Sequence, residues 1–213
     1  MKGIKVLIVE DDAFSRSTLI DALRRQGLNV VGATDNARDA LAITQNQLPD
    51  VALCDLDLGV GPTGLDVAIA LRRISPNIGV IMLTSYRDPR LVDPNLPSLP
   101  EGAILMNKKE LTSMAILGMH INAAAAHPRK KRKSNWEKSG KFQSLSAIQI
   151  EILKSVAEGL TTAEIAKVRD VSEQSIEKTI QRICKNLEIQ PSNDRNQRVQ
   201  LVRAFFYGAG SDI

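Results

Sequence analysis

The apolar positions follow two different rhythms, one in each half of the chain. Up to about residue 110, short and nearly unbroken apolar runs recur. They are Ile4-Lys5-Val6-Leu7-Ile8-Val9, Val51-Ala52-Leu53-Cys54, Val80-Ile81-Met82-Leu83 and Ala103-Ile104-Leu105-Met106. Such runs, without polar alternation, suit strands buried on both faces. Between them the apolar residues fall at helical spacing, with Leu19, Ile20 and Leu23 inward over residues 14–25, and further helices over 37–47 and 65–74. Gly27 offers a left-handed stop after the first helix, and Pro49 and Pro76 close the other two. With a further strand at residues 29–32, strands and helices alternate, which predicts a parallel sheet with helices on both faces.

From about residue 142 the strand-like runs disappear. Ser146-Ala147-Ile148-Gln149 is a capping box that opens a helix with Ile150, Leu153, Val156 and Ala157 on its apolar side. Thr161-Thr162-Ala163-Glu164 is a second one, opening a short helix with Ile165 and Ala166 inward. Asp170-Val171 reads as a tight turn. Ser172 then caps a longer helix over residues 173–186, buried through Ile176, Ile180, Ile183 and Leu187. A last helix is expected from Asp194 to Tyr207, carrying Val199, Leu201, Val202 and Phe205. A short helix, a brief turn and a longer helix match the helix-turn-helix, whose second helix enters the major groove of DNA. Its outward residues are Gln174, Glu177, Lys178, Gln181, Arg182 and Lys185, types that bond base edges or phosphates.

Two stretches break the rhythm. Residues 87–100 contain Pro89, Pro94, Pro97 and Pro100, so a full helix between the last two strands is not expected. The linker, residues 123–141, begins as a helix end stopped by Pro128 and continues into Arg129-Lys130-Lys131-Arg132-Lys133. Five adjacent like charges favour an extended, solvated chain, and could also reinforce contact with DNA phosphates.

Charge sharpens the division. Residues 1–126 hold 12 Lys/Arg and 14 Asp/Glu, a net of −2, whereas residues 127–213 hold 16 and 10, a net of +6. A basic second half points to a polyanionic partner, double-stranded DNA above all. Cys54 and Cys184 lie in different halves and in apolar patterns, as reduced, buried thiols of a cytoplasmic protein would. The stretch 111–126 is too short and too polar to span a membrane, and no membrane role is expected.

The strand ends carry the candidate chemistry. Glu10-Asp11-Asp12 follows the first run, Asp55 and Asp57 the second, Thr84 the third and Lys108-Lys109 the fourth. In an open parallel sheet these ends converge on one crevice. Carboxylates, a hydroxyl and an ammonium there suit a hard cation, Mg²⁺, and a phosphoryl group. Asp55 fits the nucleophile that forms an acyl phosphate, with Glu10, Asp11 and the Asp57 backbone carbonyl as metal ligands. Thr84 and Lys108 would hold phosphoryl oxygens, with Lys109 the alternative. Taken singly, such acids after a strand serve equally well as helix caps.

The segments IVEDDAFSR, VALCDLDLG, GLDVAIALR, IMLTSY and GAILMNKKE, in that order, resemble the receiver domain of two-component response regulators over residues 1–122. That resemblance implies a doubly wound, flavodoxin-like α/β domain with five parallel strands. It also implies that Asp55 accepts its phosphoryl group from the phosphohistidine of a sensor histidine kinase. Arg16 stands at the family's offset from Asp11, making Glu10 and Asp11 the acidic pair and Asp12 an extra acid. The chain departs from the family in having Leu105 where many receivers have an aromatic residue, and in its proline-rich 89–100 segment.

Residues 142–213 resemble the LuxR-type helix-turn-helix domain, most specifically through AEGLTTAEIA and VSEQSIEKTI. Glu177 stands where many members carry Lys, and Gln149 where Glu is common. The combination resembles the NarL/FixJ type of response regulator. Its implied function is phosphorylation-controlled, sequence-specific DNA binding by a homodimer that regulates transcription, not enzymatic turnover. Two rivals are weighed. A regulator controlled without phosphorylation would explain the departures at Leu105 and 89–100. A haloacid-dehalogenase-like, Mg²⁺-dependent phosphatase would use Asp55-Leu56-Asp57 as its DxD motif, although that motif normally ends a first strand.

Overall fold

Apolar runs that alternate with amphipathic helices can bury both sheet faces only if the helices cross over between parallel strands. The computed structural model, which describes residues 3–111, 113–130, 141–191 and 195–211, has that arrangement in its first half. The elements are β1 (Lys5–Val9), α1 (Ala13–Arg25), β2 (Asn29–Thr34), α2 (Ala37–Gln47), β3 (Val51–Asp55), α3 (Gly64–Ile74), β4 (Gly79–Thr84), β5 (Ile104–Asn107) and α4 (Met114–Ala126). The strands are all parallel in the order β2-β1-β3-β4-β5. Every residue of β3 and β4 is buried, as their unbroken apolar runs require.

Side chains alternate across the sheet, so Val6, Ile8, Val51, Leu53, Ile81 and Leu83 share one face, covered by Leu19 and Leu23 of α1 and by Leu117, Ile121 and Ala124 of α4. Helices α2 and α3 cover the other face. Gly27 takes the left-handed conformation just past α1, and Pro128 follows the end of α4. Arg129, the first charge of the basic run, donates from Nε and Nη2 to the Pro76 carbonyl at 3.1 and 3.0 Å. Residues 131–140, which hold the rest of that run, lie outside the described residues.

Helix α3 begins with a capping box that the spacing of apolar residues does not reveal. The Thr63 hydroxyl accepts from the Asp66 N–H, and the Asp66 carboxylate accepts from the Thr63 N–H at 2.9 Å. The next residue must be glycine, because a Cβ at Gly64 would lie 1.6 Å from the Asp55 carbonyl oxygen. The start of α3 is thereby pressed against the backbone of the residue that ends β3.

The second unit contains α5 (Ala147–Ala157), α6 (Thr162–Arg169), α7 (Glu173–Asn186) and α8 (Gln197–Gly208). Both capping boxes read from the sequence form, Ser146 with Gln149 and Thr161 with Glu164. Asp170 makes the turn in the left-handed conformation, and the Ser172 hydroxyl caps α7 by accepting from the Ser175 N–H. The core comprises Phe142, Leu145, Ile150, Leu153, Val156, Ile165, Ile176, Ile183, Leu187 and Leu201, with Ile180, Val202 and Phe205 packed against it. The last helix differs from expectation. Asn196 caps it by accepting from the N–H groups of Arg198 and Val199, so it starts at Gln197, and Val199 is exposed. The expected start at Asp194 lies outside the described residues.

This helical unit is not a continuous stretch of chain. Ser85–Leu96, from between β4 and β5, belongs to it, while Thr84 and Pro97 belong to the sheet unit. The prolines hold the segment to one short 3-10 turn, Pro89–Leu91, and Leu91 is buried in the helical core.

Candidate functional site

Three acids and one lysine meet at the carboxyl ends of β1, β3 and β5. The Lys108 ammonium, just past β5, donates to both oxygens of Glu10 at 2.7 and 2.8 Å and to Asp55 Oδ2 at 2.8 Å. Glu10 is 1% and Asp55 8% exposed. The exposed Asp11 completes a set of three carboxylates whose oxygens lie within 4.8 Å of one another. Lys109 is exposed, and its backbone N–H bonds the Asn107 side chain, which sets the 3-10 turn carrying Lys108 inward. Thr84 is buried at the end of β4, paired in register with Asn107.

The remaining acids have local tasks. Asp12 caps α1, its carboxylate accepting from the Ser15 N–H at 2.7 Å, which holds its pKa below the ordinary value. The Asp57 carboxylate accepts from the Gly59 N–H, and its own N–H donates to Asp55 Oδ1 at 3.4 Å. Arg16 reaches back from α1 to the carbonyls of Glu10 and Asp11 at 2.5 and 3.0 Å, which fixes the backbone that presents both acids. Its role as a backbone anchor is visible only in three dimensions. In the sequence the signal was its offset from Asp11.

One ammonium faces more negative charge than it can neutralise. Burial pushes the Glu10 carboxyl up to about 7, opposed by the Lys108 hydrogen bond and reinforced by Asp55. Burial likewise raises Asp55, with Lys108 opposing. Burial pulls Lys108 down, but Asp55 and Glu10 outweigh it and its pKa ends above the ordinary value. A cluster of hard oxygen donors with surplus negative charge fits a hard divalent cation rather than a thiophilic metal. Cys54 is adjacent in sequence, but it is fully buried and its thiol is pushed up to about 12, so it stays protonated.

In the helical unit, Gln174, Glu177, Lys178, Gln181, Arg182 and Lys185 are all exposed along one side of α7, opposite the buried Ile176, Ile183 and Cys184. Among the described residues, no helix is long and apolar enough to cross a membrane.

Comparison with known proteins agrees with both halves. Residues 6–97 match the family model of the response regulator receiver domain, and residues 143–203 that of bacterial regulatory proteins of the luxR family. Nodulation protein W of Bradyrhizobium diazoefficiens is 30% identical over 176 residues, covering 80% of this chain and 74% of that protein. Response regulator protein VraR of Staphylococcus saprophyticus is 28% identical over 92% of this chain and 94% of its own length. RcsB of Salmonella enterica serovar Typhimurium, solved bound to promoter rprA with the phosphomimetic BeF3-, is similar in fold, with a TM-score of 0.55 and 21% identity over 96% of this chain and 99% of that one. With a sheet unit matching receivers and a helical unit matching luxR-family regulators along nearly its whole length, the chain belongs to the NarL/FixJ-type response regulators, transcription regulators that join a receiver to a LuxR-type DNA-binding domain.

Proposed function

We propose that Asp55 is the phosphoryl acceptor of this regulator and that a histidine kinase supplies the group. The observation that carries this reading is the Lys108 ammonium, held against both Glu10 and Asp55 with Asp11 alongside. An Asp55 carboxylate oxygen attacks phosphorus, an acyl phosphate bond forms, and the bond to the kinase imidazole breaks. Glu10, Asp11, Asp55 and the Asp57 backbone carbonyl are the groups that would hold Mg²⁺, which when bound neutralises charge on the phosphoryl oxygens. Lys108 is already hydrogen-bonded to Asp55 and would follow the transferred oxygens, while the Thr84 hydroxyl would donate to another. The Asp57 N–H on Asp55 Oδ1 and Gly64 against the Asp55 carbonyl hold the acceptor still.

The chain acts stoichiometrically, as one acceptor per molecule, not as a phosphatase with turnover. Its α7 face would enter the major groove, with Lys178, Gln181, Arg182 and Lys185 on phosphates or base acceptors and Glu177 able to accept from cytosine N4. A homodimer on paired half-sites in the cytoplasm fits this role, as two-fold operators pair with two-fold proteins. RcsB, similar in fold, is described as dimers bound to DNA.

The test is chemical. With Mg²⁺ and acetyl phosphate the protein should gain one base-labile phosphoryl group, and Asp55→Ala should abolish it while Asp57→Ala leaves much of it. Labelling that persists without Asp55 would overturn the assignment.

A further inference from the structure

Segment 85–96 starts at the residue after Thr84 and is built into the helical unit from its first residue to its turn. A Cβ at Gly210 would lie 2.1 Å from the Ser85 carbonyl oxygen, so the end of the chain is laid directly on Ser85. The Arg87 N–H donates to the Gly208 carbonyl at 2.7 Å, its Nε donates to the Tyr207 carbonyl at 3.1 Å, and its guanidinium lies 4.2 Å from the centre of the Tyr207 ring. Arg90 pairs through two nitrogens with the buried Asp88 and donates to the carbonyls of Phe142 and Leu145 at 2.7 and 3.1 Å. Leu91 is 1% exposed within the helical core, and the buried Gly208 has no room for a Cβ, because one there would lie 2.4 Å from Leu91 and 2.6 Å from Phe142. These hydrogen bonds end on the carbonyls of Phe142 and Leu145 and on the end of α8, and the 3-10 turn also packs against α5. The outer face of α7 stays exposed, so the segment does not act by covering the DNA-facing residues.

We propose that residues 85–96 form a strap of the DNA-binding unit, and that engagement of Thr84 at the phosphorylated site acts on that unit through this strap. The strap takes the place of the helix that a receiver would carry between β4 and β5, and it makes Thr84 the last residue before the DNA-binding unit. The regulatory half of the inference rests on the phosphoryl-acceptor reading above; the structural half does not.

Two measurements on the full-length chain test it. Hydrogen exchange is followed in Ile183→Ala, a change in the helical core alone. The Arg87 and Leu91 amides should then exchange faster in step with α5 and α8 while β1 to β4 are unchanged. Arg87 and Leu91 amides that stay with β4 would overturn the strap. In the second, Arg87→Ala should keep full labelling by acetyl phosphate and keep unphosphorylated DNA affinity within about twofold. It should lose the change in DNA affinity that phosphorylation causes in the wild type. A retained phosphorylation response would overturn the coupling. If Arg87→Ala loses DNA binding outright, wild-type exchange decides. A change of about threefold or more at the Arg87 amide on phosphorylation, absent in Asp55→Ala, supports the coupling, and no change overturns it. A wild-type chain that takes no label refutes the acceptor reading and with it the coupling, and the Ile183→Ala result then judges the strap alone.

Discussion

The three buried acids among the described residues fall into two clusters, each built on one basic side chain, and the clusters differ in how fully their charge is paired. Asp88 and Arg90 form a closed clamp. The aspartate is almost fully buried, the guanidinium bonds it through two nitrogens, and Nη1 and Nη2 also donate to two backbone carbonyls. One charge meets one charge. Around Lys108 a single ammonium is shared between Glu10 and Asp55, with Asp11 adding a third carboxylate. The surplus is held in place by Arg16 and by Gly64, at the cost of raised carboxyl pKa values. Pairing closes the first cluster, whereas incomplete pairing leaves the second one with surplus negative charge, the arrangement on which the phosphoryl-acceptor proposal rests.

The comparison can be broken most completely by removing one acid from each cluster. Asp55→Ala should eliminate acyl-phosphate labelling, whereas Asp88→Ala should leave labelling intact and lower the melting temperature of the helical unit by leaving the partly buried Arg90 guanidinium without its partner, a cost of up to about 3–5 kcal/mol. Calorimetry with and without acetyl phosphate separates these outcomes. Equal labelling losses would mean the two clusters are not functionally distinct. Next in size, Leu91→Ala should destabilise the helical unit by about 2–5 kcal/mol while the sheet unit melts unchanged. Calorimetry and far-ultraviolet dichroism would check it, and a loss confined to the sheet unit would contradict the division of the chain.

Gln181→Ala should weaken binding to a specific duplex by about 1–3 kcal/mol and leave non-specific duplex almost untouched. Equal losses on both would place α7 on the phosphate backbone instead of the base edges. The smallest effect concerns protons. Without metal, Glu10 titrates near 7 instead of its ordinary 4.5. Between those values the folded chain keeps a proton the unfolded chain has shed, so this group lowers stability as pH rises through the window. Mg²⁺ must displace that proton, so its affinity should climb by up to about tenfold per pH unit below 7 and level off above it. A flat profile from about pH 5 to pH 8 would remove Glu10 from the metal set.

Local signals were legible in the sequence and distant ones were not. Ser146…Gln149 and Thr161…Glu164 name both partners of a cap within four residues, and both caps form. Thr63…Asp66 carries a weaker form of the same signal, because Asp is a shorter arm than the Glu or Gln of the usual box. The four strand ends were equally plain, since unbroken apolar runs end where the chemistry begins. Which acids Lys108 would touch was not, because contacts across 98 and 53 residues leave no periodicity. Prolines at 89, 94, 97 and 100 forbade a full helix, but they said nothing of where the chain would go. That was decided by Leu91 and Arg90 finding Phe142 and Leu145 more than 50 residues away.

The interleaving of the two units also governs how this regulator can be recombined. A hybrid joined at the linker would give the LuxR-type half a foreign receiver and leave Ser85–Leu96 behind. Phe142, Leu145 and Gly208 would then lose the cover that Leu91 and Arg90 supply. A hybrid that carries the twelve residues after Thr84 along with the LuxR-type half keeps that cover.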